Sequence, residues 1–187
     1  EEDGLFCLRD RGALGAVRRE RFGDAVRKME RARRVVRYLK RIPFIRGVAV
    51  CNTLSWMHTT ERSDIDLFII VKEGSLWTTR LLAVLPFKLL RARPGERACD
   101  PLCFSFFLSD ASLNLEGLSL TGSDPYFAYW TKSVIPVFDR DGVFEEFQKA
   151  NAWTQEILMQ AHARLYEEEK GRTRRAPAWL DRFASRL

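Results

Sequence analysis

Two carboxylates one residue apart, Asp64 and Asp66, open an apolar run from Leu67 to Val71 in the stretch CNTLSWMHTTERSDIDLFIIV. The run is rich in branched and aromatic residues and reads as a buried strand. Side chains alternate along a strand, so Asp64 and Asp66 share one face and Ile65 and Leu67 the other. Side by side, two carboxylates repel and lose hydration, so the pair calls for a compensating cation or an exposed strand mouth. Hard oxygen donors of this kind suit Mg²⁺ or Mn²⁺. The plainer alternative is a solvated pair, or a cap, with no ligand.

The elements that must position this pair follow from periodicity. Apolar residues Phe22, Ala25, Val26, Met29, Ala32, Val36 and Leu39 recur at three- and four-residue steps, which predicts an amphipathic helix from about 16 to 41, stopped by Pro43. RGVAVC predicts a strand, NTLSWM a short helix or turn, and HTTERS a polar loop leading into DIDLFIIV. The segment EGSLWTTRLLAVLPFKLLR reads as helical, with Ser75 as N-cap and Pro86 as a kink. LCFSFFLS predicts a third buried strand, YFAYWTKSVIPVF a helical stretch, and Val143 to Lys170 another helix. Trp77, Tyr129 and Trp130 read as core or groove aromatics. The expected fold is α/β, a small mixed sheet with helices packed on one face and a C-terminal helical region.

Bulk properties narrow the function classes. The chain has 187 residues and is 46% hydrophobic, enough for one well-buried domain with a small helical appendage. It contains no uncharged apolar run of the roughly 18 residues that a membrane span needs. Glu1 and Glu2 begin a charged segment without a signal-peptide pattern, so a cytoplasmic protein is expected. Cys7, Cys51, Cys99 and Cys103 lack the clustered His or Cys partners of a zinc site and read as reduced thiols. Residues 1–47 hold fourteen Lys/Arg against seven Asp/Glu, so the net +6 of the chain resides in this segment. Arg27, Arg31 and Arg34 on the first helix form a candidate nucleic-acid face. A solvated helix surface is the plainer reading, since stacking aromatics are sparse there. Lys72, Arg80, Arg91, Arg93 and Arg97 are further phosphate-neutralising candidates, and His58 a candidate nucleotide contact, each with plain surface exposure as the default.

Strand, turn, polar loop and a strand opening with Asp-x-Asp form the layout of the nucleotidyltransferase superfamily, whose Ser-Asp-x-Asp-hydrophobic signature SDIDLFIIV resembles. The chain is also similar to bacterial nucleotidyltransferase-domain proteins over roughly residues 30–140, through VAVCNTL, SDIDLFI, LWT, CFSFFLS and DPYFAYW. The resemblance implies Mg²⁺- or Mn²⁺-dependent transfer of a nucleotidyl group from a nucleoside triphosphate to an acceptor. Asp64 and Asp66 would be the catalytic metal ligands, and Asn52, Thr53 and Ser63 would bind nucleotide. Asn52 and Thr53 stand where the superfamily has a Gly-Ser turn; Asn tolerates left-handed backbone and Thr retains a hydroxyl.

Active members carry a third acid within a strand beside Asp-x-Asp. Here the interior polar residue of LCFSFFLS is Ser105, with Asp100 just before the strand and Asp110 just after it. The alternative reading is therefore a catalytically inactive module that binds nucleic acid or a protein partner through its basic helix. The resemblance further implies that residues 1–15 end a preceding winged-helix segment, residues 16–140 form the nucleotidyltransferase-like domain, and residues 141–187 form a helical region and basic tail.

Overall fold

The computed structural model describes residues 11–95, 99–120 and 124–158. The opening strand, Arg97 and the basic tail of the sequence reading lie outside these residues. The chain runs α1 (Leu14–Leu39), β1 (Ile45–Val50), α2 (Asn52–Ser55), β2 (Ile65–Val71), α3 (Leu76–Leu89), β3 (Leu102–Ser109), a 3₁₀ turn (Glu116–Leu118), α4 (Pro125–Ser133), β4 (Ile135–Asp139), α5 (Val143–Ala150) and α6 (Thr154–Ile157). The four strands form one mixed sheet in the order β3-β2-β1-β4. β1 is antiparallel to both β2 and β4, whereas β2 and β3 are parallel, the pair that needs a crossover, here α3.

Helices cover both faces of the sheet, not one as expected. Ile65, Leu67, Ile69 and Val71 of β2 enter one core with α1 residues such as Ala32, Val36 and Leu39. Phe68 and Ile70 enter a second core with Trp130, Phe144 and Phe147 of α4 and α5. Burial on both faces explains why β2 is apolar throughout rather than alternating. At Gly47 of β1 an added Cβ would lie 2.6 Å from the Phe144 ring and 2.8 Å from Val143 Cγ1, so glycine is what lets α5 seat on the sheet.

The inward stripe of α1 is Ala25, Lys28, Met29, Ala32, Val35, Val36 and Leu39. Phe22 and Val26, expected on that stripe, are exposed, while Lys28 is fully buried. The helix is turned so that the Lys28 ammonium reaches three oxygen acceptors beneath the β2 entry loop. In α3 only Thr79 and Ala83 are buried. Pro86 removes the N–H that would bond Leu82 O, and the Tyr38 hydroxyl donates to that carbonyl instead at 2.8 Å. Ser75 occupies the N-cap position, but its hydroxyl donates backward to Lys72 O at 2.5 Å rather than capping the helix.

Two helical expectations are corrected. YFAYWTKSVIPVF is a helix only to Ser133; Ile135–Asp139 is an edge strand, where Pro136 is tolerated because one side of the strand has no partner among the described residues. The helix expected from Val143 breaks at Asn151, which is buried and donates to both Phe147 O (2.8 Å) and Leu113 O (2.7 Å). The Asn151 N–H keeps its helical bond to Phe147 O at 3.1 Å, and the chain tightens after it, with Ala152 N bonding Lys149 O at 3.3 Å.

Candidate functional site

Asp66 sits in the middle of a row across three strands. Cys51, at the end of β1, donates its N–H to Asp66 O at 3.2 Å, and Cys103 of β3 is the parallel partner of Asp66. Asp64 lies one residue ahead of β2, and both acids are half-buried at this end of the sheet. The Asp64 carboxyl is held above its ordinary value, first by burial and then by the charge of Asp66, with Lys28 opposing. Burial pushes both thiols up, and Asp66 adds to the effect on each, so Cys51 and Cys103 stay protonated at neutral pH.

Asp100 is buried and takes ion pairs from Arg27 and from Lys28, the latter at 2.5 Å, so its oxygens are committed to cations within the fold. Asp110 follows the far end of β3, seven residues beyond Cys103, about 23 Å along a strand. There it accepts from Glu73 N at 2.8 Å. Beside Asp66 stand Cys103 and Ser105, whose Sγ and Oγ are 2.5 Å apart. A register shift in β3 between the partners of Asp66 and Phe68 accompanies this contact. Among the described residues no cluster of three or more His, Cys, Asp or Glu could hold a metal ion.

On the other side of the pair, Asn52 opens α2 with φ 55°, the left-handed conformation that a glycine would otherwise supply. Its Oδ1 accepts from Trp130 Nε1 at 2.7 Å, which ties the turn to α4. Thr53 is half-buried and its carbonyl accepts from His58 N at 3.0 Å. The Ser63 hydroxyl accepts from Thr60 N at 3.0 Å, closing the turn before the acids.

Helix α1 straps down the loop that carries the pair. Lys28 donates to Glu61 O (3.2 Å), Ser63 O (2.7 Å) and Asp100, which uses all three of its N–H donors. Arg18 donates to Met57 O at 2.5 Å, and Arg21 pairs with His58. Burial, then Arg21 and Arg18, lower the His58 pKa, so its imidazole is neutral at neutral pH and serves as an acceptor for α1. Of the three arginines proposed as a nucleic-acid face, Arg27 bonds Asp24 and Asp100, while Arg34 is exposed and Arg31 half-buried. Trp130 belongs to the core as expected, but Trp77 and Tyr129 are exposed.

Three participants escaped the sequence reading: Lys28, Cys103 and Trp130 as the partner of Asn52. Lys28 had a signal, since it falls on the helical stripe shared by Ala25, Met29 and Ala32. Cys103 follows only from strand register.

No family model, no curated protein and no solved structure matches this chain. No helix among the described residues is long and apolar enough to cross a membrane.

Proposed function

We propose that this chain is a nucleotidyltransferase-like module that binds a nucleoside triphosphate with one divalent ion at Asp64 and Asp66, and that it lacks the carboxylate needed for efficient transfer. The observation that carries the reading is the neighbour of Asp66 across the strand pair: Cys103, a protonated thiol, where a third acid would be needed. Two carboxylates of which one is held above its ordinary value form a site short of positive charge, and one Mg²⁺ or Mn²⁺ fits it, with phosphate oxygens completing the shell. Bound there, the ion would supply charge neutralisation of the triphosphate. Asn52 and Thr53 would present backbone N–H groups and a hydroxyl to the phosphates. The Lys28 strap would hold the loop before Asp64 in register with them. The basic helix would then serve a partner, nucleic acid or protein, through exposed side chains such as Arg34.

A thermal-shift titration tests this. Mg²⁺ or Mn²⁺ with a nucleoside triphosphate should raise the melting temperature, because binding stabilises the fold by mass action, by about 2.7 kcal/mol at a hundred times Kd. Asp64→Asn with Asp66→Asn should abolish the rise, and Thr53→Val should weaken only its nucleotide-dependent part. An unchanged response in the double variant refutes the site.

Nucleotidyl transfer itself is the second reading, favoured by the unbroken Asp pair beside a left-handed turn. Pyrophosphate release that requires Asp64 and Asp66 would establish it. The Arg34 face is tested separately, by nucleic-acid binding that falls steeply with salt and is lost on reversing Arg27, Arg31 and Arg34 to Glu.

A further inference from the structure

Helix α3 packs on the core through one face only: Thr79 and Ala83 are buried and Leu76, Val84 and Phe87 are half-buried against it, while the large apolar side chains of the other face point outward. Trp77 is 77% exposed, Leu81 59%, Leu85 44% and Leu89 74%. These four recur every fourth residue, which aligns them on one face of the helix over about 18 Å. Leu82 and Leu90 widen the strip, at 42% and 74% exposed. Scattered exposed leucines are ordinary, but six large apolar side chains on one short helix form a contiguous patch of the kind that marks an interaction site.

Charge selects the occupant. From Ser75 to Gly95 the chain has four Lys/Arg and no Asp or Glu. Arg80, Lys88 and Arg91 are exposed beside the strip. Arg80 also lies 5.4 Å over the Phe107 ring of β3. Of the acids that flank this stretch in sequence, Glu73 precedes the Trp77 end, where its N–H bonds Asp110 at 2.8 Å, and Glu96 is followed directly by Arg97. A second copy meeting this face about a twofold axis would bring like-charged Arg80, Lys88 and Arg91 together, which opposes self-association. An anionic partner is complementary. The strip is also a ridge on an edge element, since α3 packs on β3 and β3 ends the sheet among the described residues. A ridge needs no matching groove to enter the headgroup region of a bilayer. The outer face offers a bilayer both contacts it needs, Trp and Leu for the acyl boundary and exposed Arg80, Lys88 and Arg91 among them for anionic headgroups. At fourteen residues it lies on a bilayer and does not span one.

We propose that α3 is a membrane-surface anchor that docks the outward Trp77–Leu81–Leu85–Leu89 strip into an anionic lipid interface, with Arg80, Lys88 and Arg91 at the headgroups. The inference is independent of the Asp64–Asp66 reading.

The test is flotation of the full chain with vesicles of phosphatidylcholine containing roughly a third phosphatidylglycerol, against pure phosphatidylcholine, with sedimentation velocity run in parallel. The intact protein should float with the anionic vesicles at least tenfold more than with the neutral ones, and less at high salt. Leu81→Ser with Leu85→Ser should cut flotation at least tenfold. Because both side chains are exposed, circular dichroism and the melting temperature should hold. Lys88→Glu with Arg91→Glu should remove the anionic preference. Brominated lipid should quench the intact protein more than Trp77→Phe, which places Trp77 in the acyl boundary. Absence of flotation with anionic vesicles overturns the proposal, as does flotation indifferent to the leucine substitutions. A dimer that Leu81→Ser with Leu85→Ser dissolves, without lipid binding, would assign the face to a second copy instead. Saturable binding of an acidic amphipathic peptide without lipid binding would assign it to a protein partner.

Discussion

Replacing Lys28 by Met tests whether one buried ammonium holds the acid-bearing loop in place. In the native protein Lys28 is fully buried, and its donors reach Glu61 O, Ser63 O and the carboxylate of Asp100, which is itself 5% exposed. Methionine fills a similar volume but leaves two carbonyls and half of a buried carboxylate without a donor. Removing one partner of a buried ion pair costs about 3–5 kcal/mol, because the other charge stays behind in a medium that solvates it poorly. Arg27 still bonds Asp100, which moderates the loss, and the two orphaned carbonyls restore part of it. The expected destabilisation is about 3 kcal/mol, or roughly 6–12 °C in a domain of this size.

Urea unfolding of Lys28→Met, Asp100→Asn and the double variant, followed by circular dichroism, measures this. A coupling energy above about 1.5 kcal/mol is expected for two groups in direct contact. The Lys28→Met protein, where still folded, should also lose most of the metal- and nucleotide-dependent stabilisation, since Asp64 follows the loop that Lys28 holds. A destabilisation below about 0.5 kcal/mol, or an additive double variant, would refute the strap.

Other expectations concern the turn, the pair and the sheet. Asn52→Gly should keep nucleotide affinity within a few-fold, since it keeps the left-handed backbone that φ 55° requires. Asn52→Ala should lose more, at about 1–2 kcal/mol for the backbone alone, as read by calorimetric titration. Cys103→Asp places a carboxylate opposite Asp66 and should raise Mn²⁺ affinity about tenfold, near 1.4 kcal/mol. No gain there would mean that Cys103 does not stand at the missing ligand position.

For pH the sign follows from Asp64, whose folded-state pKa is raised above the ordinary 3.8 by burial and Asp66. Its neutral form favours the fold, so this contribution is full below the ordinary value and disappears as pH rises through the raised one. Asp64→Asn should therefore stabilise the metal-free protein at pH 7 and have little effect near pH 3, as read by melting temperature. Gly47→Ala should cost about 1–3 kcal/mol, because the added methyl meets Phe144 at 2.6 Å.

Much of this was present in the one-dimensional pattern. The Leu67–Val71 run, the helix ahead of Pro43 and the LCFSFFLS strand all appear as elements, because their periods and stop residues are local properties of the chain. The Asp pair was legible for the same reason, since strand alternation alone puts both carboxylates on one face. Asn52 as the left-handed residue came from the resemblance, which puts a Gly-Ser turn at this position, and Asn tolerates the φ of 55° found there.

What needed the tertiary structure was whatever depends on which elements meet. Ile135–Asp139 has too few residues to declare itself a strand until β1 offers an edge to pair with. Lys28 is indistinguishable in sequence from the arginines around it, and becomes a core residue only because Asp100, seventy-two positions away, needs a cation in a place that water does not reach. Cys103 stands beside Asp66 through a parallel register that no local pattern encodes. Trp77 reads as a core or groove aromatic in sequence, yet it faces outward because α3 meets the core through its opposite face, Leu76, Thr79, Ala83, Val84 and Phe87. Hydrophobicity says that a side chain gains by leaving water; only the packing of the other elements decides whether there is anything to bury it against.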